Sequence, residues 1–216
     1  MMPKIFERHV HLAVHEYLNQ LGLLFKYQSG FRLFYSCETA MIELVDRLLM
    51  NMDNGLLTGL SLIDFRKAFY LVDHEVLLRK LVVYQLSGES IQWLKSYLEG
   101  RLQKVSIKGV MSSSLPITSG VPQGPLLGPL LFIIFINGLP LSVTNKSMYT
   151  YADDTTQVVA GHNVMEVAST LEEDLRNINK WAANNRMALN TEKAKSILIC
   201  SKPKHPSLAK NGAKSL

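Results

Sequence analysis

Apolar side chains recur at helical spacing in several stretches of the chain. The clearest is the segment from Asn163 to Asn185, in which the apolar positions fall on one side of a helix. The same spacing predicts further helices at residues 5–24, 37–55, 73–88 and 89–100. Asp73 is the expected N-cap of the third of these helices, and Gly88 is its expected stop.

Shorter apolar runs follow the pattern of β-strands. Residues 56–63 are mostly apolar and end on Asp64, which predicts a buried strand. Residues 103–110 alternate between polar and apolar and predict a half-buried strand, and residues 196–200 predict a final one. Around Asp153 the chain reads as a strand, a tight turn and a second strand. Because strands and helices interleave irregularly, the expected class is α+β or mixed α/β, with a largely antiparallel sheet.

The most apolar run, residues 125–140, contains internal glycine and proline residues. Its unbroken apolar part is shorter than the roughly 20 residues that cross a bilayer, so a buried helix is the expected structure. It follows a glycine- and proline-rich segment that predicts a loop.

Composition narrows the class of protein. Of 216 residues, 47% are hydrophobic and 19% are charged, and the net charge is +5. These values fit a folded chain and are compatible with a polyanionic partner. Two cysteines without a C-x-x-C pair predict no disulfide-linked partner and a reducing compartment. The charged N-terminal segment has no signal-peptide pattern, so we expect a soluble, intracellular protein without a membrane partner. The lysine-containing residues 201–216 predict a disordered basic tail.

Two adjacent carboxylates, Asp153 and Asp154, lie between strongly β-prone flanks. A simple turn is the common explanation of such a pair, but uncompensated acids in a buried hairpin are costly unless a cation neutralises them. Asp64 is the candidate third acid, with a strand-end cap as its alternative. Hard oxygen ligands favour Mg²⁺ or Mn²⁺ over zinc. Two such ions would serve phosphoryl transfer from a nucleoside triphosphate. Because strand side chains alternate, we expect Asp153 to be the firmer ligand and Asp154 the weaker one.

Five motifs then occur in order along nearly the whole chain. They are QSGFR (28–32), LIDFRKAFYLVDH (62–74), SGVPQGPLLGPLLFIIFINGLP (119–140), YADD (151–154) and MALNTEKAKSILI (187–199). Together they resemble the reverse transcriptase domain of non-LTR (LINE-type, jockey-like) retrotransposons. The resemblance implies a right-hand, palm-and-fingers polymerase over residues 1–200, with partial fingers at 1–56 and the palm from about 57. A small antiparallel sheet would pack on helices. We expect the family's thumb and endonuclease to be missing.

The resemblance also implies an RNA-directed DNA polymerase that acts on an RNA template, a DNA primer and dNTPs. The implied catalytic metal ligands, for two Mg²⁺ or Mn²⁺ ions, are Asp64, Asp153, Asp154 and the backbone carbonyl of Phe65. The implied nucleotide-binding residues are Phe69, Gln123, Gly124 and Lys193. Phe69 would exclude a ribose 2′-hydroxyl and Lys193 would protonate pyrophosphate. The implied template and primer contacts are Arg32, Tyr151, Gly120 and Pro122. The family's mode of insertion implies action in the nucleus.

Three positions depart from the family pattern. Tyr70, Pro125 and Gly138 stand where an acid, a serine and another acid are usual, and they indicate a decaying copy without removing a metal ligand. Alternatives therefore stay open: a catalytically inactive nucleic-acid-binding relic of the same fold, or an interaction protein. A zinc site at His11 and His15, four positions apart, is a further alternative to their being surface residues.

Overall fold

The computed structural model describes residues 2–122, 124, 126–144 and 147–201. The helices are α1 (Met2–Gln20), α2 (Cys37–Asp53), α3 (His74–Val83), α4 (Gly88–Leu98), α5 (Leu127–Ile136) and α6 (Val164–Asn184). The strands are β1 (Leu57–Ile63), β2 (Leu102–Gln103), β3 (Ser106–Ile107), β4 (Val110–Met111), β5 (Leu115–Pro116), β6 (Met148–Tyr151), β7 (Asp154–Gly161) and β8 (Lys195–Ile199). The long predicted helices and the strand, turn, strand around Asp153 are confirmed. The predicted tail at 202–216 lies outside the described residues.

The chain divides into two compact units. We call the unit formed by Met1–Phe25, Lys67–Asn137 and Asn185–Met187 the helical unit. We call the unit formed by Lys26–Arg66, Gly138–Asn184 and Ala188–Leu216 the sheet unit. The predicted boundary between fingers and palm near residue 57 stays a prediction.

The sheet unit is built on four antiparallel strands in the order β6-β7-β1-β8, as the alternation of strands and turns predicted. β1 lies inside this sheet, and six of its seven residues are buried in the pattern BBBBBeB. A strand that is buried along nearly its whole length is typical of a sheet covered on both faces. The last residue of β1, Ile63, pairs with Thr155 near the start of β7.

A helix covers each face of this sheet. On one face Leu57 and Val159 pack against Val167 and Leu171 of α6. Gly59 makes this approach possible, because a Cβ at that position would lie 2.6 Å from side-chain atoms of both α6 residues. On the other face a second cluster consists of Leu60, Tyr149 and Val158, with Leu44 and Leu48 of α2 packed against it. The period-2 alternation of strand side chains thus separates the two cores.

The core of the helical unit is α5, in which every residue from Leu127 to Ile136 is buried. Helices α1 and α3 pack against it, and α4 packs against α3. The prediction of a buried helix in the most apolar run is therefore confirmed. No helix among the described residues is long and apolar enough to span a membrane.

The predicted start of α3 is confirmed, but its predicted end is wrong. The Asp73 carboxylate accepts a hydrogen bond of 2.9 Å from the Val76 N–H, as an N-cap does. The helix ends at Val83, and Gln85 takes a positive φ of 58° just beyond it. Gly88 instead begins α4, whose N-cap is Ser87. Gly88 was predicted to end the helix because glycine is the usual residue of the left-handed turn after a helix, but here Gln85 adopts that conformation.

The prediction of one half-buried strand at residues 103–110 is also wrong. The segment turns back on itself at Lys108 and Gly109, whose φ angles are 48° and 84°, so that β3 pairs with β4. Two positive φ angles in succession are the signature of a type I′ hairpin turn. Both short strands are exposed, so the alternation of polar and apolar residues reflects no buried face.

Candidate active site

The three predicted carboxylates lie at one end of two neighbouring strands of the sheet unit. Asp64 follows the last residue of β1, and the register of Ile63 with Thr155 puts it beside the start of β7, which is Asp154. Tyr151 pairs with Asp154, so Ala152 and Asp153 form the two-residue turn between β6 and β7. The antiparallel register therefore brings together acids that are remote in sequence.

The electrostatics of this hairpin distinguish its two aspartates. Asp153 is half-buried, whereas Asp154 is exposed. Burial raises the pKa of Asp153, and the negative charges of Asp154 and Asp64 raise that pKa further, against the opposing effect of a backbone hydrogen bond. A raised carboxyl pKa means that the ionised form is unfavourable unless a positive charge approaches. The site therefore favours a cation, and Asp153 is its most constrained member.

Two residues of the segment before β8 contact Asp64. The Asn190 side-chain amide donates a 2.8 Å hydrogen bond to Asp64 Oδ2, and the Asn190 backbone N–H donates one of 2.8 Å to the Asp64 carbonyl. Lys193 Nζ lies 3.7 Å from the same Oδ2. Lys193 thus lies beside the Asp64 carboxylate, and its implied role in nucleotide binding stays a prediction. The role of Asn190 was missed, because it depends on a contact across 126 positions of the sequence.

Within the described residues, no three His, Cys, Asp or Glu side chains are arranged closely enough to hold one metal ion. For the carboxylate end of the sheet, the contacts of Asp64 give a reason: its Oδ2 is engaged by Asn190 and Lys193. The donor chemistry nonetheless fits Mg²⁺ or Mn²⁺, because the available ligands are carboxylate oxygens whose mutual repulsion a divalent cation would relieve.

The other predicted residues of the sheet unit have clear positions. Phe65 is 3% exposed, stacks edge-on against Trp181 with ring centroids 6.4 Å apart, and forms a bridge with Leu189. Arg32 donates a 3.2 Å hydrogen bond to the Gln28 carbonyl, and its guanidinium lies 4.3 Å from the centre of the Tyr35 ring. Tyr151 is 40% exposed at the hairpin.

In the helical unit the structure joins two of the quoted motifs. The Gly120 N–H donates to the Val72 carbonyl (2.8 Å), and the Val121 N–H donates to the Phe69 carbonyl (3.0 Å). Gly120 has a φ of 88°, and a Cβ there would lie 3.0 Å from the Tyr70 backbone. Glycine is therefore required by both conformation and space. The side chain of Phe69 stacks on Phe132 with centroids 4.1 Å apart.

The remaining loop residues include two that the structure does not describe. The Pro122 carbonyl packs directly over α5, because a Cβ on Gly128 would lie only 1.8 Å from its oxygen. A Cβ on Gly124 would lie 3.4 Å from Glu7 Oε1. Gln123, predicted to bind nucleotide, and Pro125 lie outside the described residues.

The histidine pair on α1 is not a surface feature. His15 is 5% exposed, and its ring stacks on that of His11 with centroids 5.7 Å apart. Burial and the neighbouring His15 lower the pKa of His11, against the opposing charge of Glu7. The explanation of this pair as exposed residues is therefore wrong for His15.

Gln28 contacts the hairpin, a role that was not predicted from the sequence. This residue was quoted in QSGFR, but only Arg32 of that motif received a role. Gln28 is 3% exposed, and its side-chain carbonyl accepts a hydrogen bond of 3.0 Å from the Ala152 N–H, between the two strands of the hairpin. A contact across 124 positions has no signal in one sequence.

Comparison with known proteins identifies the family of the sequence. The profile of the family described as "Reverse transcriptase (RNA-dependent DNA polymerase)" matches residues 2–211. An RNA-directed DNA polymerase from the mobile element jockey of Drosophila melanogaster is 31% identical over 184 residues, covering 82% of this chain and 20% of the relative. A probable RNA-directed DNA polymerase from the X-element transposon of the same species is 27% identical and covers 95% of this chain and 23% of the relative. The chain thus spans about a fifth of the length of these curated relatives.

Solved structures of low identity share the fold. A telomerase from Candida albicans, in complex with a TWJ fragment of telomeric RNA, aligns with a TM-score of 0.67 at 12% identity, covering 88% of this chain and 34% of that one. A truncated apo telomerase from Candida tropicalis aligns with a TM-score of 0.61 at 15% identity, covering 90% of this chain and 41% of that one. These likenesses, with the small antiparallel sheet packed on helices, confirm the predicted right-hand polymerase class of fold.

Proposed function

The chain belongs to the reverse transcriptase family, the non-LTR retrotransposon type predicted from its motifs, and we propose that it extends a DNA primer on an RNA template with dNTPs. This activity is a proposal because the chain spans only 20–23% of the length of its curated relatives. We propose further that it acts in the nucleus, where the resemblance implies that insertion occurs.

One observation carries the proposal. Asp64 ends a buried central strand directly beside the turn that presents Asp153 and Asp154, and all three acids belong to the sheet unit. Burial, and after it the negative charges of Asp154 and Asp64, raises the pKa of Asp153. Perturbed carboxyl groups of this kind are typical of catalytic sites.

The residues that would hold two Mg²⁺ or Mn²⁺ ions are Asp64, Asp153, Asp154 and the Phe65 carbonyl. When bound, such ions activate the primer 3′-hydroxyl and stabilise the leaving pyrophosphate. The protein supplies position and charge. The Asn190 side-chain amide fixes the Asp64 carboxylate through one hydrogen bond, and the Asn190 backbone N–H donates a second to the Asp64 backbone carbonyl. Lys193, whose side chain is 73% exposed, is the cation beside Asp64 that would donate a proton to pyrophosphate.

The proposed nucleotide contacts in the helical unit are those that the resemblance implies. Phe69, backed by Phe132, would lie under the sugar and exclude a 2′-hydroxyl. Gln123 and Gly124 would contact the incoming nucleotide. The proposed template and primer contacts are Arg32, Tyr151, Gly120 and Pro122. The net charge of +5 favours binding of these polyanions.

A primer-extension assay on the purified full chain tests the proposal. We expect Mg²⁺-dependent extension that Asp153→Asn abolishes, because this change removes the charge and keeps the shape. The matched control is Asp46→Asn, an exposed carboxylate on α2 of the same unit, which should leave the rate unchanged. Mg²⁺ should also raise the melting temperature of the wild type but not of Asp153→Asn. Salt-dependent binding of primer–template without extension at any Mg²⁺ concentration would instead establish the inactive relic.

A further inference from the structure

The turn that carries Asp153 has an unusual backbone. Ala152, its first residue, has a φ of 57°, in the left-handed region that favours glycine. The methyl group of Ala152 is almost fully buried, with the residue 5% exposed. A turn of this kind keeps one conformation only where its surroundings impose it. The contacts that do so come from a distant part of the chain.

The side chain of Gln28 provides them. Its Oε1 accepts hydrogen bonds from the Ala152 N–H (3.0 Å) and from the Gly30 N–H (2.8 Å). Its Nε2 donates one of 3.3 Å to the Ala152 carbonyl. One buried amide thus binds both backbone polar groups of the strained residue and ties that residue to the 28–30 segment.

The backbone around Gln28 strengthens this attachment. β6 is the outer strand of the sheet, and Thr150 within it is bridged in parallel by Gln28. The Ser29 N–H donates to the Thr150 carbonyl (2.8 Å), and the Thr150 N–H donates to the Tyr27 carbonyl (2.9 Å). The segment from Tyr27 to Gly30 therefore extends the sheet beyond its edge and ends against the turn.

We propose that Gln28 is a positioning residue of the polymerase site, which fixes the Ala152–Asp153 turn and thereby the place of the Asp153 carboxylate. This inference rests on the proposed function and deepens it. Gln28 touches no reacting atom; it acts through Ala152. Because a displacement of about 1 Å costs on the order of 100-fold in rate, loss of these hydrogen bonds should appear in kcat more than in KM.

Two variants of the full chain test this role. Gln28→Met keeps the length of the side chain but removes donor and acceptor, whereas Gln28→Glu keeps an acceptor for both N–H groups. We expect Gln28→Met to accelerate amide hydrogen exchange at Ala152 and Gly30 about 10-fold or more and to lower kcat about 10- to 100-fold. The KM for dNTP should stay within about 2-fold, and Gln28→Glu should recover part of both losses. The control is Gln20→Met, an exposed glutamine on α1 whose side chain donates a hydrogen bond to the exposed side chain of Glu16.

The two measurements separate the possible failures. Unchanged exchange at Ala152 in Gln28→Met would overturn the attachment, whatever the activity. Faster exchange with an unchanged kcat would overturn the positioning role. Absence of extension by the wild type would count against the polymerase function and leave the exchange experiment decisive for the attachment. Should Gln28→Met fail to fold, Gln28→Glu carries the same comparison.

A second observation, independent of the first, concerns the helical unit. β2 pairs with β5 and β3 pairs with β4, and further hydrogen bonds join Arg101 to Ile117 and Val105 to Ser112. Residues 101–117 thus form one two-stranded arm, which we call the ribbon. Its large apolar side chains are 58–74% exposed: Leu102, Val105, Ile107, Val110, Met111 and Leu115.

The charge of the ribbon is of one sign. It carries Arg101, Lys104 and Lys108, and the sequence contains no Asp or Glu between Glu99 and Asp153. A cationic surface without acids attracts a polyanion and repels no phosphate. Exposed apolar side chains next to those cations can pack against sugars and bases while the lysines contact the backbone.

From this charge pattern we propose that the ribbon is a nucleic-acid contact surface, which holds the sugar–phosphate backbone of the primer–template. This inference also rests on the proposed function. The probe is a labelled RNA–DNA primer–template with a single-stranded RNA overhang, bound to the full chain over a series of salt concentrations. The double variant Lys104→Glu, Lys108→Glu should weaken binding about 10-fold or more. It should also make the negative slope of log K against log salt shallower by about 1.4–1.8.

The matched control reverses two lysine or arginine charges elsewhere, with Arg176→Glu and Lys180→Glu on the exposed side of α6. Ile107→Ser with Val110→Ser should weaken binding without changing the salt slope. Equal losses for the ribbon and control charge variants would overturn the proposal, as would concentration-dependent self-association that Ile107→Ser with Val110→Ser abolishes. Binding is measured without turnover, so an inactive chain still tests the ribbon.

Discussion

Replacing Gly30 by alanine tests the packing of the 28–30 segment against the hairpin. A Cβ added to Gly30 would lie 2.0 Å from the Ala152 nitrogen and 2.7 Å from its Cα. Ordinary contact begins at 3.4 Å, so the two backbones must separate by 1.4 Å (3.4 minus 2.0). Neither backbone can yield as a flexible side chain would. The φ of Gly30 is not in the positive range, so space is the whole cause.

The energetic cost follows from the hydrogen bonds that this separation breaks. The Ala152 N–H to Gln28 Oε1 bond of 3.0 Å and the Ser29 N–H to Thr150 carbonyl bond of 2.8 Å both cross the gap. Leaving buried donors unpaired costs about 1–3 kcal/mol each, so Gly30→Ala should lower the free energy of unfolding by about 2–6 kcal/mol. For a chain of this size that is a fall of about 4–24 °C in melting temperature.

Denaturant and thermal unfolding followed by circular dichroism measure this change. The control is Gly88→Ala, because a Cβ on Gly88 meets no atom within 4 Å. That substitution lies at the start of α4 and should change the free energy of unfolding by less than about 0.5 kcal/mol. A Gly30→Ala protein as stable as the wild type would show that the 28–30 segment does not pack against the turn, and the reasoning about Gln28 would fall with it.

Three further predictions concern charges and buried polar groups. In the absence of metal, Asp153→Asn should raise the melting temperature at pH 7. The reason is that the pKa of Asp153 in the folded state is raised above 3.8, so its ionisation destabilises the fold. Below pH 3.8 the carboxyl group is protonated in both states, and the gain should vanish. Burial lowers the pKa of Lys80 from 10.5 to about 8, so the wild type should gain stability between pH 8 and pH 10.5 in denaturant titrations across pH. Lys80→Met should remove this rise with pH, although it also removes the hydrogen bond that the ammonium donates to the Phe135 carbonyl. Asp174→Ala should cost about 3 kcal/mol or more in the same titration at pH 7, since the buried carboxylate accepts hydrogen bonds from Thr144 and Gln157. An Asp174→Ala protein whose free energy of unfolding lies within about 1 kcal/mol of the wild type would contradict the prediction for Asp174. Stability that does not change with pH would contradict the predictions for Asp153 and Lys80.

The sequence predicted those features whose physical cause is local. The strand before Asp64 and the hairpin at Asp153 follow from short apolar runs broken by turn residues, and α5 is apolar on all sides because it is buried on all sides. The two errors in the predicted helices and strands, at residues 88 and 103–110, arose where Gln85 and Lys108 took positive φ angles. Such conformations are uncommon for these residue types, so periodicity alone misplaced the breaks.

The roles of Gln28 and Asn190 were not predictable, because each depends on a contact across more than a hundred residues. Gln28 reaches Ala152 across 124 positions, and Asn190 reaches Asp64 across 126. Both are polar amides in stretches that read as loops, and a surface position is the usual place for such residues. The pairing of β1 with β8 brings the segment that contains Asn190 beside Asp64, and the bridge between Gln28 and Thr150 of β6 brings Gln28 beside Ala152.

These two amides have opposite relations to the charge of the site. The Asn190 side chain donates to the carboxylate of Asp64 itself, which fixes the direction of that carboxylate. The Gln28 side chain bonds backbone groups of Ala152 and Gly30, so it holds the turn without neutralising Asp153. The burial and, after it, the neighbouring negative charges that raise the pKa of Asp153 are therefore not offset by Gln28. On the proposed function, a divalent cation would bind at this rigid turn by relieving that cost.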